Sequence, residues 1–230
     1  MLSKPTPPIK AYLAGPDVFL PDPVGIGKKK KELLKRYNIE GYYPFDNEYP
    51  QTDDSTQVPF LIAKANEDMM SKCNVILANL MPWYGAAADN GTTFEMGFMS
   101  ARAMTDPNIL IIGYYPDGIP EQLATRVTKV VYDGKVITKD GSIVSTETGR
   151  TVENFQLTDN LMIIGAIKKS GGEIYGSFKE AAAHVRELFE AKQQRQSVPK
   201  EGLFFSGALT WNLAAAVEED RLSRKFDFFV

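Results

Sequence analysis

The chain has 230 residues, 43% of them hydrophobic and 24% charged, enough for one globular domain with a full core and some elaboration. A formal net charge of −3 and a pI near 5.4 give no electrostatic basis for DNA or RNA as the main partner. A single cysteine, Cys73, excludes an internal disulfide framework and fits a reducing compartment, and no apolar run approaches the about 20 residues that span a bilayer.

The first residues, with Pro5, Pro7 and Pro8, lack the apolar core of a signal peptide and form an extended lead-in, so a cytoplasmic protein with no membrane partner is expected. The apolar run 9–14 stops at Gly15 and Pro16, the pattern of a buried strand emptying into a loop. Helix formers fill 28–36 with Leu33 and Leu34 inward, and 39–43 is a second strand ending at Pro44. Residues 60–72 have helical spacing through Leu61, Ala65 and Met69, followed by a strand over 75–80. A third helix is predicted over 93–105 and a fourth strand over 109–112. Strands that alternate with helices and are apolar throughout predict an α/β fold, a Rossmann-like (flavodoxin-like) parallel sheet sandwiched by helices. Ligands of such sheets sit beyond the carboxyl ends of the strands, where Gly15, Pro44, Pro82 and Gly113 fall.

Over 127–146 alternating residues are broken by Asp133-Gly134 and Asp140-Gly141, both hairpin dipeptides, which predicts an antiparallel β-meander inserted at about 127–148. An amphipathic helix is expected over 178–193, with Ala182, Val185, Leu188 and Phe189 inward. The α/β domain should span 9–194 and a C-terminal extension 195–230, the latter with a helix around 209–222.

The chemistry concentrates in the stretch from Ala88 to Phe98, where Asp89 and Glu95 flank a Gly-Thr-Thr turn opening a helix. Thr92 and Glu95 have the spacing of a capping box, a purely structural arrangement. The same placement puts a carboxylate in a first helical turn, where the positive end of the macrodipole would keep it ionised and fixed in direction, as a nucleophile requires. Asp68 lies on the preceding helix, either on a solvated face or in a site. Asp89 could equally be a turn former and Tyr12 a packed core phenol. His184, the one histidine, sits in an Ala-rich helix, which leaves no Ser-His or Cys-His pairing, and Cys73 fits a buried small hydrophobe. A metal site would have to come from carboxylates alone, and none is expected. Gly25-Ile-Gly-Lys-Lys-Lys-Lys31 lacks the spacing of a phosphate-binding loop and reads as a solvated helix start.

Taken in order, these segments resemble the nucleoside 2-deoxyribosyltransferases over roughly residues 9–190. Tyr12-Leu-Ala-Gly-Pro16 with Phe19 looks like the family's first strand and loop, and Tyr43-Pro-Phe-Asp-Asn-Glu-Tyr49 like its second-strand exit. Asn66-Glu-Asp68 resembles its acidic helix, 89–98 its nucleophile segment, and Asp159-Asn-Leu-Met162 the element that enters a neighbouring subunit's site. The resemblance implies that Glu95 attacks C1′ of the deoxyribose while Tyr12 holds it. Asp68 and Asp89 would supply proton and hydrogen-bond contacts at the nucleobase. Gly15, Phe19, Asp46 and Glu48 would bind substrate, and Asn160 and Met162 would belong to the adjacent protomer's pocket. It further implies deoxynucleosides and free nucleobases as substrates, no cofactor, a role in nucleoside salvage, and a homo-oligomer, dimer or hexamer, with shared sites.

Two departures stand out. Glu48 replaces a glutamine found in some members, and an ionised carboxylate cannot donate a hydrogen bond to a base. The tail also continues to Val230, past the family's usual end. A hydrolase acting on nucleosides or deoxynucleoside 5′-monophosphates through the same carboxylate is the alternative, and the acid Asp17 in the first loop counts against the monophosphate. A non-catalytic nucleotide-sensing module is the reading from a different class.

Overall fold

In a computed structural model, residues 8–197 are described. Five strands form one all-parallel sheet in the order β2-β1-β3-β4-β8: β1 (Ile9–Ala14), β2 (Ile39–Tyr42), β3 (Val75–Asn79), β4 (Leu110–Tyr114) and β8 (Ile174–Tyr175). This is the expected flavodoxin-like order. Every residue of β3 and β4 is buried, which explains their unbroken apolar runs.

Alternate residues of the strands enter two separate cores. Ala11, Leu13, Leu77 and Ile112 face α1 (Pro23–Arg36) and α6 (Phe178–Ser197), through Leu34, Val185 and Phe189. Tyr12, Ile76, Ala78 and Ile111 face the opposite layer, α2 (Val58–Lys72), α3 (Asn90–Ala103) and α5 (Leu161–Ser170), through Met70, Met96 and Ile167. Strand parity therefore sends the Tyr12 phenol toward α3. None of the helices among the described residues is long and apolar enough to cross a membrane.

Helix boundaries move where a cap overrides periodicity. α1 starts at Pro23 rather than 28 because the Asp22 carboxylate accepts from Gly25 N at 2.9 Å and proline suits the first helical turn. α5 and β8 have no counterpart in the sequence reading. Gly165 interrupts the apolar run of the former, and the latter is only two residues long.

The inserted region is partly meander. The first predicted strand is helical instead: α4 (Leu123–Arg126) continues as a wider turn over Val127–Val131, and Asp133-Gly134 ends it. The three-stranded antiparallel sheet consists of β5 (Val136–Lys139), β6 (Ser142–Ser145) and β7 (Thr151–Val152), extending past the expected end at 148. Asp140 and Gly141, at φ 49° and 77°, make the β5–β6 hairpin. Left-handed dipeptides serve helix ends and hairpins alike, so spacing alone does not separate the two uses. The helix expected at 209–222 lies outside the described residues.

A buried polar cluster secures the carboxyl edge of the sheet. Lys30 Nζ donates to Asp17 Oδ2 and to the Tyr114 hydroxyl, both at 2.6 Å, and Asn79 Nδ2 reaches Asp17 Oδ2 at 3.2 Å. Burial pushes the Lys30 ammonium below its ordinary pKa, against the opposing pull of Asp17. Lys30 is thus no part of a solvated helix start. It shares an inward stripe with Gly27 and Leu34, at helical spacing. Lys30→Met should destabilise the fold by about 3–5 kcal/mol, because it leaves the Asp17 carboxylate buried without a cation. Urea unfolding at pH 7 measures this, and the Asp17→Asn, Lys30→Met double variant should recover most of the loss.

Candidate active site

The strand order reverses between β1 and β3, so the crevice beyond their carboxyl ends is the expected ligand position for this topology. Three segments meet there: the turn after β1, the loop from Leu80 to Asp89 after β3, and the start of α3. Gly15 opens the first of them at φ 149°, and a Cβ there would lie 2.6 Å from Asn79 Cβ, so only glycine fits. The Pro16–Phe19 turn then carries Phe19 onto the Trp83 ring, with centroids 5.8 Å apart and planes 18° off parallel. Phe19 stays 61% exposed, which leaves part of its ring available over the crevice.

At the floor, the Tyr12 hydroxyl donates to Glu95 Oε1 at 2.7 Å. This bond joins β1 to the second turn of α3. Asp89, not Thr92, caps that helix: its Oδ2 accepts from Thr92 N at 2.9 Å and from Thr92 Oγ1 at 3.1 Å. The capping box expected between Thr92 and Glu95 does not form. Asp and Thr are comparable caps by type, and the aspartate three residues earlier takes the position.

Glu95 therefore lies beyond the turn in which the macrodipole acts most strongly. Burial raises its carboxyl to about 7, the Tyr12 hydrogen bond opposes that rise, and the negative charge of Asp89 adds to it. The acid is poised near neutrality rather than firmly ionised. The Tyr12 phenol is raised well above its ordinary value, by burial first and by Glu95 second, so it remains a donor.

Asp68 stands apart from this constellation. It is exposed on α2, ion-paired with Lys64 at 2.9 Å, and no hydrogen bond or ion pair among the described residues joins it to Glu95. It lines a cleft of about 680 Å³ between α2 and the 46–50 loop, together with Glu48, Tyr49 and Met69. Asn47 Nδ2 donates to Asn66 Oδ1 at 3.0 Å and closes one side of that cleft. Asp46 is engaged locally: its Oδ2 accepts from Tyr43 N at 2.9 Å and its Oδ1 pairs with Lys31.

Asn160 caps α5, accepting from Met162 N at 3.0 Å, and Met162 is 72% exposed. Among the described residues no group of His, Cys, Asp and Glu has an arrangement that would hold a metal ion. Asp17 does not face the crevice as an acid. It turns inward to Lys30, which removes the charge objection to a phosphorylated ligand.

Sequence reasoning missed Trp83 and Arg126. Trp83 was detectable as an aromatic followed by the small-residue run 85–88 after a strand end. Arg126 is 6% exposed, and its guanidinium donates to the carbonyls of Ala86, Glu121 and Thr158 at 2.6 to 2.8 Å, with Asp159 Oδ2 3.7 Å away. Its hydrogen-bond acceptors are main-chain carbonyls, which leave no trace in a sequence.

Against this geometry, the sequence pattern of the nucleoside 2-deoxyribosyltransferases matches residues 11–162, from β1 through the cap of α5. The chain belongs to that family. Among solved structures, the 2-desoxiribosyltransferase of Leishmania mexicana superimposes with a TM-score of 0.53 at 29% identity, covering 78% of this chain and 98% of that one. An uncharacterised protein of Schizosaccharomyces pombe is 27% identical over 175 residues, 73% of this chain and 81% of the relative. In this deoxyribosyltransferase-family chain the antiparallel sheet lies within the matched span.

The raised carboxyl has a consequence for stability. Unfolded, Glu95 titrates near its ordinary 4.5, whereas in the fold it titrates near 7. Between these values the native state binds the extra proton, so stability falls as pH rises through that window. Glu95→Gln should therefore melt above the unsubstituted protein at pH 8, with the difference shrinking toward pH 5. Thermal scans across this range measure it.

Proposed function

We propose that the protein exchanges nucleobases on 2-deoxyribose, through a covalent glycosyl–Glu95 intermediate, in nucleoside salvage. The observation that supports this best is the Tyr12–Glu95 bond, which occupies one carboxyl oxygen and leaves the other without a hydrogen bond among the described residues. In the first half, a carboxylate oxygen of Glu95 bonds to C1′ as the C1′–N bond breaks. The departing base takes its electron pair and a proton from an acid beside it. Asp68 in the α2 cleft and Asp89 at the head of α3 are the groups proposed to supply the proton and hydrogen-bond contacts at the nucleobase.

The transition state carries oxocarbenium charge, which the ionised carboxylate stabilises before trapping it. In the second half, a nitrogen of the incoming base bonds to C1′ and gives up its proton to the carboxylate that protonated the departing base. The ester bond breaks, its electron pair returns to Glu95, and the anomeric configuration is retained. Phe19 supplies an aromatic face, Gly15 lets the backbone approach, and Glu48 accepts from the base, with Asp46 shaping the turn that carries it.

Asn160 and Met162 are proposed to complete the site of a second copy. Exposed Phe94, Leu161 and Met162 at the starts of α3 and α5 form an apolar surface for such contact. The inward turn of Asp17 favours a second reading, hydrolysis of a deoxynucleoside 5′-monophosphate by the same carboxylate.

Incubating deoxynucleosides and their 5′-monophosphates with and without a free base distinguishes these reactions. Transfer predicts a new nucleoside only when acceptor is present; equal release of free sugar in both arms means hydrolysis. Glu95→Ala and Glu95→Gln should each lower exchange by at least about 10³-fold. The kcat/KM profile should show an acidic limb near pH 7, since only the ionised carboxylate attacks. Asp89→Asn, by removing a negative charge, should move the limb to lower pH, and Tyr12→Phe, by removing a hydrogen bond to the carboxylate, to higher pH. Asp68→Asn should slow poor leaving bases most, and a uniform loss across bases would refute its role as proton donor.

A further inference from the structure

We infer that the inserted antiparallel sheet is a positioning device for Asn160, acting through Glu153, the residue that β7 delivers to the start of α5. The inference rests on the proposed role of Asn160 in a second copy's site.

Glu153 follows β7 directly, and its carboxylate makes two bonds at the head of the helix. Oε2 accepts from Asn160 Nδ2 at 2.9 Å, and Oε1 accepts from Leu161 N at 3.0 Å. The other end of the Asn160 amide is fixed as well, because its Oδ1 accepts from Met162 N at 3.0 Å. Asn160 N donates to Asp159 Oδ1 at 2.8 Å, which holds the main chain. An ionised carboxylate only accepts, so Glu153 determines which end of the amide is the nitrogen. The side chain is then presented in a single orientation, and its Nδ2 carries a second N–H beyond the one given to Glu153.

A second anchor comes from the other end of the insertion. Arg126 Nη2 donates to Thr158 O at 2.7 Å, and Nε donates to Ala86 O at 2.8 Å in the turn that leads to Asp89. One buried guanidinium thus joins the loop of Asn160 to the loop of Asp89. Both residues sit at the edges of the inserted segment, Arg126 before β5 and Glu153 after β7. The sheet between them closes the segment on itself and fixes the spacing of the two anchors.

Glu153→Ala should lower kcat/KM for base exchange by about tenfold to a hundredfold, the range expected for losing hydrogen bonds to a charged group. Glu153→Gln keeps one acceptor oxygen and should fall between the two. The deciding measurement uses two chains, Glu153→Ala and Glu95→Ala, co-expressed with different tags and purified through both. In such a hybrid, one site combines an intact Glu95 with an Asn160 held by an intact Glu153. Its kcat/KM per competent site should return to that of the unsubstituted protein. A Glu153→Ala protein with unaltered kcat/KM overturns the inference. So does a doubly tagged hybrid no more active than Glu153→Ala alone, or the failure to obtain any doubly tagged species. Absence of base exchange in the unsubstituted protein, assayed in parallel, overturns the functional reading itself.

Discussion

The hydrogen bond between the Tyr12 phenol and the Glu95 carboxyl is the contact on which the site depends. It spans 83 positions of sequence, and its geometry comes from two regular elements rather than from a loop. The pleat of β1 turns Tyr12 toward the α3 layer, and the pitch of α3 brings Glu95 round to meet it. A one-residue slip in β1 would send the phenol into the other core. The sheet register and the site geometry are therefore the same constraint.

Around that bond, charge is managed by burial as much as by contact. Desolvation holds the Glu95 carboxyl near neutrality, where a single acid can change its proton occupancy within a physiological range. The macrodipole of α3 is satisfied one turn earlier, by Asp89. The two carboxyls thus divide the work. One closes the helix and sets the local field, and the other sits in that field.

The crevice walls are irregular backbone, and such segments need side chains to satisfy their polar groups. Two buried cations serve this purpose on opposite sides. Lys30 secures the turn after β1 through Asp17, and Arg126 ties the turn before Asp89, through the Ala86 carbonyl, to the loops of Glu121 and Thr158. The inserted segment lies between Arg126, the last residue of α4, and Glu153, which follows β7 and accepts from Leu161 N at the head of α5. Of its strand residues only Ser145 and Val152 are buried, and its contribution runs through polar contacts at its two ends.

Much of this was legible in the residues alone. The apolar runs of β1, β3 and β4 required a doubly covered parallel sheet, because an alternating pattern would have left one face to water. Order along the chain placed Gly15, Tyr12, Asp89 and Glu95 near one another, since loops at the carboxyl edge converge in that topology. Local chemistry also identified the Asp140-Gly141 hairpin. What escaped was whatever rests on partners distant in sequence or on main-chain atoms. Lys30 looks like its three lysine neighbours until the packing of α1 selects it for burial. Thr92 looks like a cap until the preceding loop lets Asp89 arrive first. The orientation of Asp17, the raised pKa of Glu95 and the carbonyl clamp of Arg126 all arise from desolvation and long-range packing. Residue type specifies which groups can donate, accept or ionise, and only the assembled fold decides which of them water no longer reaches.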